Sequence, residues 1–144
     1  MTINPRAAKM LREARTRMRD AAAAEHAVAQ SGQSDAARRL ETEHQSLANT
    51  IDEAGAQLAN ARTVHDLDQV AMMINAHKYA IDDAVKSHDD ARAAAELTAG
   101  KLRERARQLA TAERIVEIAV RTRSEHEARQ EQRASDDIGG RTRR

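Results

Sequence analysis

The chain has no cysteine, no tryptophan and no phenylalanine, and only one proline and one tyrosine. Without cysteine there is no disulfide framework, no thiolate zinc site and no thiol nucleophile, and the chain suits a reducing compartment. Aromatic side chains supply much of the area buried in a globular core, and here that source is nearly missing. No apolar run approaches the roughly 20 residues needed to span a bilayer. The opening MTINPRAAKMLREARTRMRD lacks the apolar segment of a secretory signal. A formal net charge of +1 also argues against a general nucleic-acid binder.

One third of the residues are charged, and the hydrophobic 40% is mostly alanine. Ala, Arg, Glu, Gln and Leu are strong helix formers, and their dominance points to long helices paired in a coiled coil. Helix punctuation follows the same logic. Asn4 is a good N-cap and Pro5 suits a first helical turn. From there Ala7, Leu11, Ala14, Met18, Ala21 and Val28 recur at steps of three, four and seven, with Glu25 interrupting, as a heptad seam does. At SGQSD, residues 31–35, this pattern breaks, and it resumes in another phase with Leu40, His44, Leu47, Ile51, Ala54, Leu58 and Ala61. Gly32 alone is a weak helix breaker. The reading preferred here is a continuous or kinked helix, with a turn as the alternative.

A better-marked break follows at ARTVHDLDQV, where Thr63 can cap a second helix and Asp66 and Asp68 suit its positive end. A seven-residue repeat then runs through Leu67, Ile74, Ile81, His88, Ala95, Leu102, Leu109, Val116 and Arg123. Val70, His77, Ala84, Ala91, Ala112 and Ala119 interleave with it. Gly139 and Gly140 are expected to stop this helix. The expected fold is all-α: a long two-helix antiparallel coiled-coil hairpin over residues 1–138, with helices near 5–62 and 66–136 and a basic, mobile tail at 139–144.

The segment QVAMMINAHKYAI, residues 69–81, carries two apolar faces. Val70, Ile74, His77 and Ile81 belong to the seam, whereas Met72, Ala76 and Tyr79 lie opposite, flanked by Met73 and Ala80. Two helices cannot cover both faces, so the second is a candidate contact surface; a turn folding back over it is the competing reading. Charge is uneven too. Arg6, Lys9, Arg12, Arg15, Arg17 and Arg19 stand against Glu13 near the beginning, and Arg121, Arg123, Arg129, Arg133, Arg141, Arg143 and Arg144 add to this near the end, where five acids accompany them. The turn region reverses the balance with Asp52, Glu53, Asp66, Asp68, Asp82, Asp83, Asp89 and Asp90. Cations at a helix N-terminus oppose its dipole, so the basic cluster serves either solubility or an acidic partner rather than local stability.

Sites for chemistry are scarce. No phosphate loop, dinucleotide fingerprint or HExxH spacing occurs, and His77 and His88 fall on the seam, where a polar residue fixing register is the expected role. No catalytic residue, metal or cofactor is assigned.

Three segments carry a family resemblance: INAHKYAIDDAVKSHDDA, LRERARQLATAERIVE and EARQEQRASDDIG. Over residues 5–140 the chain resembles the FliJ/YscO family of bacterial type III export systems, which are small cytoplasmic coiled-coil hairpins. The resemblance implies a non-enzymatic central stalk, cytoplasmic and peripheral to the inner-membrane export apparatus. Its basic end, with Arg6, Lys9, Arg12, Arg15, Arg19, Arg129 and Arg133, would enter a hexameric export ATPase as a γ subunit enters a rotary ATP synthase. A second contact, to the cytoplasmic part of the export gate, is implied for His77, Ile81, Ala84 and His88. His77 stands where the family pattern has an aromatic residue, and the patch Met72, Ala76, Tyr79 is the rival contact. Export chaperones are further implied partners; nucleic acid and direct membrane insertion are not. The competing classes are an unrelated self-associating scaffold and a nucleic-acid-associated coiled coil. Concentration-dependent stability marks the former, and steep salt dependence of binding marks the latter.

Overall fold

The computed structural model describes the backbone of residues 4–141 and the side chains of residues 4–136. Two helices account for nearly all of it: α1, Pro5–Asn60, and α2, Val64–Arg141. Both begin where the local chemistry favours a start. The Asn4 side-chain oxygen accepts the Arg6 backbone N–H at 2.9 Å, so Pro5 sits in the first turn, where its missing N–H costs nothing. At the other boundary Thr63 and Asp66 cap each other. The Thr63 hydroxyl accepts the Asp66 N–H at 3.2 Å, while the Asp66 carboxylate accepts the backbone N–H groups of Thr63 at 2.9 Å and Arg62 at 3.0 Å. These bonds satisfy three donors that a helix start leaves orphaned. A tightened last turn, Ala61 N–H to Leu58 carbonyl at 3.3 Å, closes α1 just before it.

The chain divides into two compact units: a terminal unit, made of residues up to Ala23 with those from Lys101 onward, and a turn unit, Ala24–Gly100. In each unit a stretch of α1 pairs with a stretch of α2 running the opposite way. In the turn unit Arg39 reaches Asp83 at 3.0 Å and Thr50 reaches His77 at 2.9 Å. In the terminal unit Arg15 donates to Gln108 at 2.8 Å. The buried side chains are small. Ala54, Val70, Ala84 and Ala95 form the core of the turn unit; Ala8, Ala22, Leu109, Ala112 and Ala119 form that of the terminal unit. Alanine at the seam lets two helix backbones approach closely, but each buried methyl contributes only about 0.8 kcal/mol, far less than a buried leucine.

Every buried α2 residue belongs to the seven-residue repeat read from the sequence. Two members depart: Arg123, in the stretch from Arg121 on where the side chains are exposed, and Leu67, at 48% exposed. Leu67 sits in the first turns of α2, where little of α1 remains to cover it.

On α1 the continuous helix read from the sequence agrees with the structure, but the phase of its seam needs correction. The helix passes through Ser31–Asp35 without a break, and its buried and half-buried positions keep one phase throughout. They step by seven through Ala8, Arg15, Ala22, Ala29, Ala36, Glu43 and Thr50, with Arg19, His26, Gln33, Leu40, Leu47, Ala54 and Ala61 interleaved. The stripe expected to pack inward before residue 31 instead faces out: Ala7, Ala14 and Ala21 are exposed, Met18 is 40% exposed and Val28 is 74% exposed. In the later half His44, Ile51 and Leu58 are likewise exposed. The physical reason is the partner. The seam takes small residues, long amphipathic ones whose stems pack while their heads reach water, and Leu40 and Leu47, and it leaves Val28, Ile51 and Leu58 on its flank.

The end of α2 also differs from expectation, because the helix continues through Gly139 and Gly140 to Arg141. A glycine stops a helix by taking a left-handed conformation, and no described glycine has one. Helical glycine otherwise costs only about 1 kcal/mol relative to alanine, which allows propagation. The mobile tail expected at 139–144 is thus helical as far as Arg141; residues 142–144 lie outside the described residues.

Candidate functional site

Two surfaces stand out, one in each unit. The terminal unit is basic. Arg6, Lys9, Arg12 and Arg17 on α1 and Arg129 and Arg133 on α2 are all exposed. Arg15 and Arg19, expected to belong to the same outward cluster, are instead half-buried on the seam. Arg15 is held by Gln108, which also accepts from Arg105 at 3.0 Å. Arg19 pairs with Asp20 at 2.7 Å, and its buried Nε has no hydrogen-bond partner. These two arginines therefore pack the helix pair, and a substitution at either disturbs pairing as well as surface charge. From Arg121 to Asp136 every α2 side chain is exposed. The i,i+4 pair of Arg123 with Glu127, at 2.6 Å, holds the Arg123 guanidinium above its ordinary value, chiefly through the Glu127 hydrogen bond.

The turn unit carries the second surface. Met72 is 71% and Tyr79 75% exposed, and Ala76 between them is exposed, with Met73 and Ala80 partly covered beside them. One α2 turn away, the other four contact residues face α1. Ala84 is fully buried, and His77, Ile81 and His88 are half-buried. The sequence thus placed the two sets on opposite sides, and the structure keeps them there. His77 is tied across the pair to Thr50, which is 8% exposed. His26 makes an equivalent cross-helix bond to Thr98 at 3.0 Å. The Thr98 hydroxyl lies within bonding distance of the Ala94 and Ala95 carbonyls, so it donates to α2 and leaves His26 Nδ1–H as the donor to Thr98. His88 lies 3.6 Å from Asp89.

Asp66 is held below the usual carboxylate range, first by the Arg62 N–H, then by the Thr63 hydroxyl and the Thr63 N–H. The surface depressions, such as the one lined by Ala56, Gln57, Asn60, Asp66 and Gln69, are open grooves. Among the described residues no three His, Cys, Asp or Glu side chains gather as a metal site would require. No helix of the described residues is long and apolar enough to cross a membrane.

Sequence reasoning missed the exposed flank of Ile51 and Leu58, and the inward place of Arg15 and Arg19. One signal for both was available: Ala8, Ala22, Ala29 and Ala36 already repeat every seven residues straight through SGQSD. The larger Leu11, Met18 and Val28 drew attention to a competing stripe.

The described residues thus present an exposed basic surface in one unit and an exposed apolar face in the other. The family model described as Flagellar FliJ protein matches residues 7–143. The curated proteins offer no match, and the solved structures offer none either. With nearly its whole length covered by that model, the chain belongs to the FliJ family and is a component of the flagellar export apparatus.

Proposed function

We propose that this protein is a non-enzymatic central stalk that binds and stimulates a hexameric export ATPase through its terminal unit and contacts the export gate through its turn unit. The observation that carries the reading is the exposed basic surface of the terminal unit, where Arg6, Lys9 and Arg12 on α1 and Arg129 and Arg133 on α2 project into solvent. Family membership supports it, as does the lack of local benefit from cations at the start of α1: the first turn of α1 contains no acidic residue to offset them. An acidic partner surface supplies the missing counter-charge, as electrostatic complementarity favours both encounter rate and specificity.

The gate contact is assigned to Met72, Ala76 and Tyr79 rather than to His77, Ile81, Ala84 and His88. The first set is exposed on α2, while the second packs against α1. Export chaperones remain further partners of the same reading, and the site of action is the cytoplasmic side of the inner membrane.

The test uses the cognate export ATPase. Adding the full chain should promote ring assembly and ATP hydrolysis. Arg6→Glu, Lys9→Glu and Arg12→Glu together should lose that stimulation without loss of helicity by circular dichroism or a lowered melting midpoint. Met72→Asp with Tyr79→Asp should retain stimulation and lose gate binding. Unchanged hydrolysis at saturating protein would overturn the stalk reading, and concentration-dependent melting would favour a self-associating scaffold instead.

A further inference from the structure

We propose that one flank of the turn unit, separate from the Met72–Tyr79 face, is a docking groove for a basic amphipathic helix of another protein. The usual burial order is inverted in this unit. Within Ala24–Gly100 the one large aliphatic side chain that is fully buried is Val70. Larger or equal aliphatic side chains are left in water: Ile51 is 52%, Leu58 47%, Val64 75% and Val85 39% exposed. These four are not scattered. Ile51 and Leu58 are seven apart on one side of α1, Ile51 directly after the seam residue Thr50, and Val64 and Val85 are three heptads apart on one side of α2, Val85 directly after the seam residue Ala84. In the antiparallel register set by the Thr50–His77 and His26–Thr98 bonds, these two flanks adjoin. They form a single apolar strip beside the seam. The strip extends from Val64 to Val85, about 31 Å at 1.5 Å per residue, matching a helix of about three heptads.

A third helix laid there interdigitates with residues spaced seven apart, which a strand or a loop cannot do. The charge around the strip decides its partner. Asp68 and Asp82 border it on α2 and Glu41 on α1; all three are exposed and none has an ion pair among the described residues. Unneutralised carboxylates on both rims select an occupant with lysine or arginine on either side of its apolar face. His44 and Lys78, both exposed, interrupt the strip at one level. The occupant therefore carries an acidic or neutral polar residue at that one position. The strip and the Met72–Tyr79 face are separate stripes of α2, with Asp68 and Asp82 between them.

The experiment takes the full chain and a fluorescein-labelled synthetic helix of about three heptads, with leucine at its inner positions and lysine at its edges. Two control peptides accompany it, one with the same residues scrambled and one with glutamate for lysine. Fluorescence anisotropy should show saturable binding of the first peptide alone. Ile51→Asp with Leu58→Asp should weaken it by at least about tenfold, as loss of central apolar anchors does. Asp68→Lys with Asp82→Lys should weaken it comparably and reduce its salt dependence. Met72→Asp with Tyr79→Asp should leave it unchanged, which separates this groove from the gate contact. Should the aspartate pair on α1 unfold the hairpin by circular dichroism, Ile51→Ala with Leu58→Ala takes its place with a smaller loss expected. Equal binding of the scrambled peptide, or binding indifferent to the Ile51, Leu58 and rim substitutions, would overturn the proposal. So would a dimer in sedimentation equilibrium that the same flank substitutions dissolve, because the groove would then belong to a second copy of this chain.

Discussion

Gly32 offers the sharpest test of how α1 is built. The apolar pattern read from sequence breaks at Ser31–Asp35, where a turn was the alternative to a continuous helix; Gly32 is exposed and helical, and a Cβ added to it meets nothing within 4 Å. It has no positive φ that would favour glycine. Gly32→Ala therefore removes the entropic cost of glycine in a helix interior without a clash, a gain of about 0.8–1.0 kcal/mol. At this chain length, such a gain raises the melting midpoint by roughly 2–4 °C. The urea midpoint should rise with the slope of the transition unchanged, because the surface exposed on unfolding stays the same. Gly32→Pro should do the opposite and cost about 3 kcal/mol or more, since it removes a helical hydrogen bond and clashes with the preceding turn. Both variants are followed by far-ultraviolet circular dichroism in urea. A neutral or destabilising Gly32→Ala would mean that residues 31–35 are a turn, and the single-phase seam of α1 would fall with it.

Three further outcomes follow from the packing. Ala84 is fully buried and Ala76 exposed, so Ala84→Leu should destabilise by about 1–3 kcal/mol through overpacking, while Ala76→Leu should stay within about 0.5 kcal/mol. Equal effects in thermal melts would show that the seam is not where it is drawn. His77→Leu should cost about 1–3 kcal/mol by stranding the Thr50 hydroxyl, and adding Thr50→Val should recover most of that loss. Strictly additive energies in a urea double-mutant cycle would show that the pair is not coupled. The Asp66 carboxylate is held below its ordinary value, so its contribution is full above the unfolded value of about 4 and is lost as pH falls through the lower folded one. The stability difference between the native chain and Asp66→Asn should accordingly shrink as pH is lowered from neutrality to about 2; a difference constant with pH would remove the cap from the account.

Much of the candidate site could be read in sequence where a repeat was strict. The α2 seam, the outward turn of Met72 and Tyr79 and the inward turn of Ala84 all follow from seven-residue spacing, because periodicity on one helix fixes which residues share a face. The basic cluster was legible as composition, but Arg15 and Arg19 were not legible as seam residues, since charge suggests the surface and gives no hint of the Gln108 that holds Arg15.

Sequence alone determined that the chain is helical, that it turns once near Thr63 and where each helix starts. Those outcomes depend on helix propensity and on capping bonds among residues three or four apart. Only the tertiary structure decided which of two stripes on α1 faces inward. An alanine-rich partner rewards close approach, so small residues and flexible arginine stems occupy the seam, and Leu58, Ile51 and Val28 are left outside. That choice depends on the surface opposite, and no local pattern on α1 contains it.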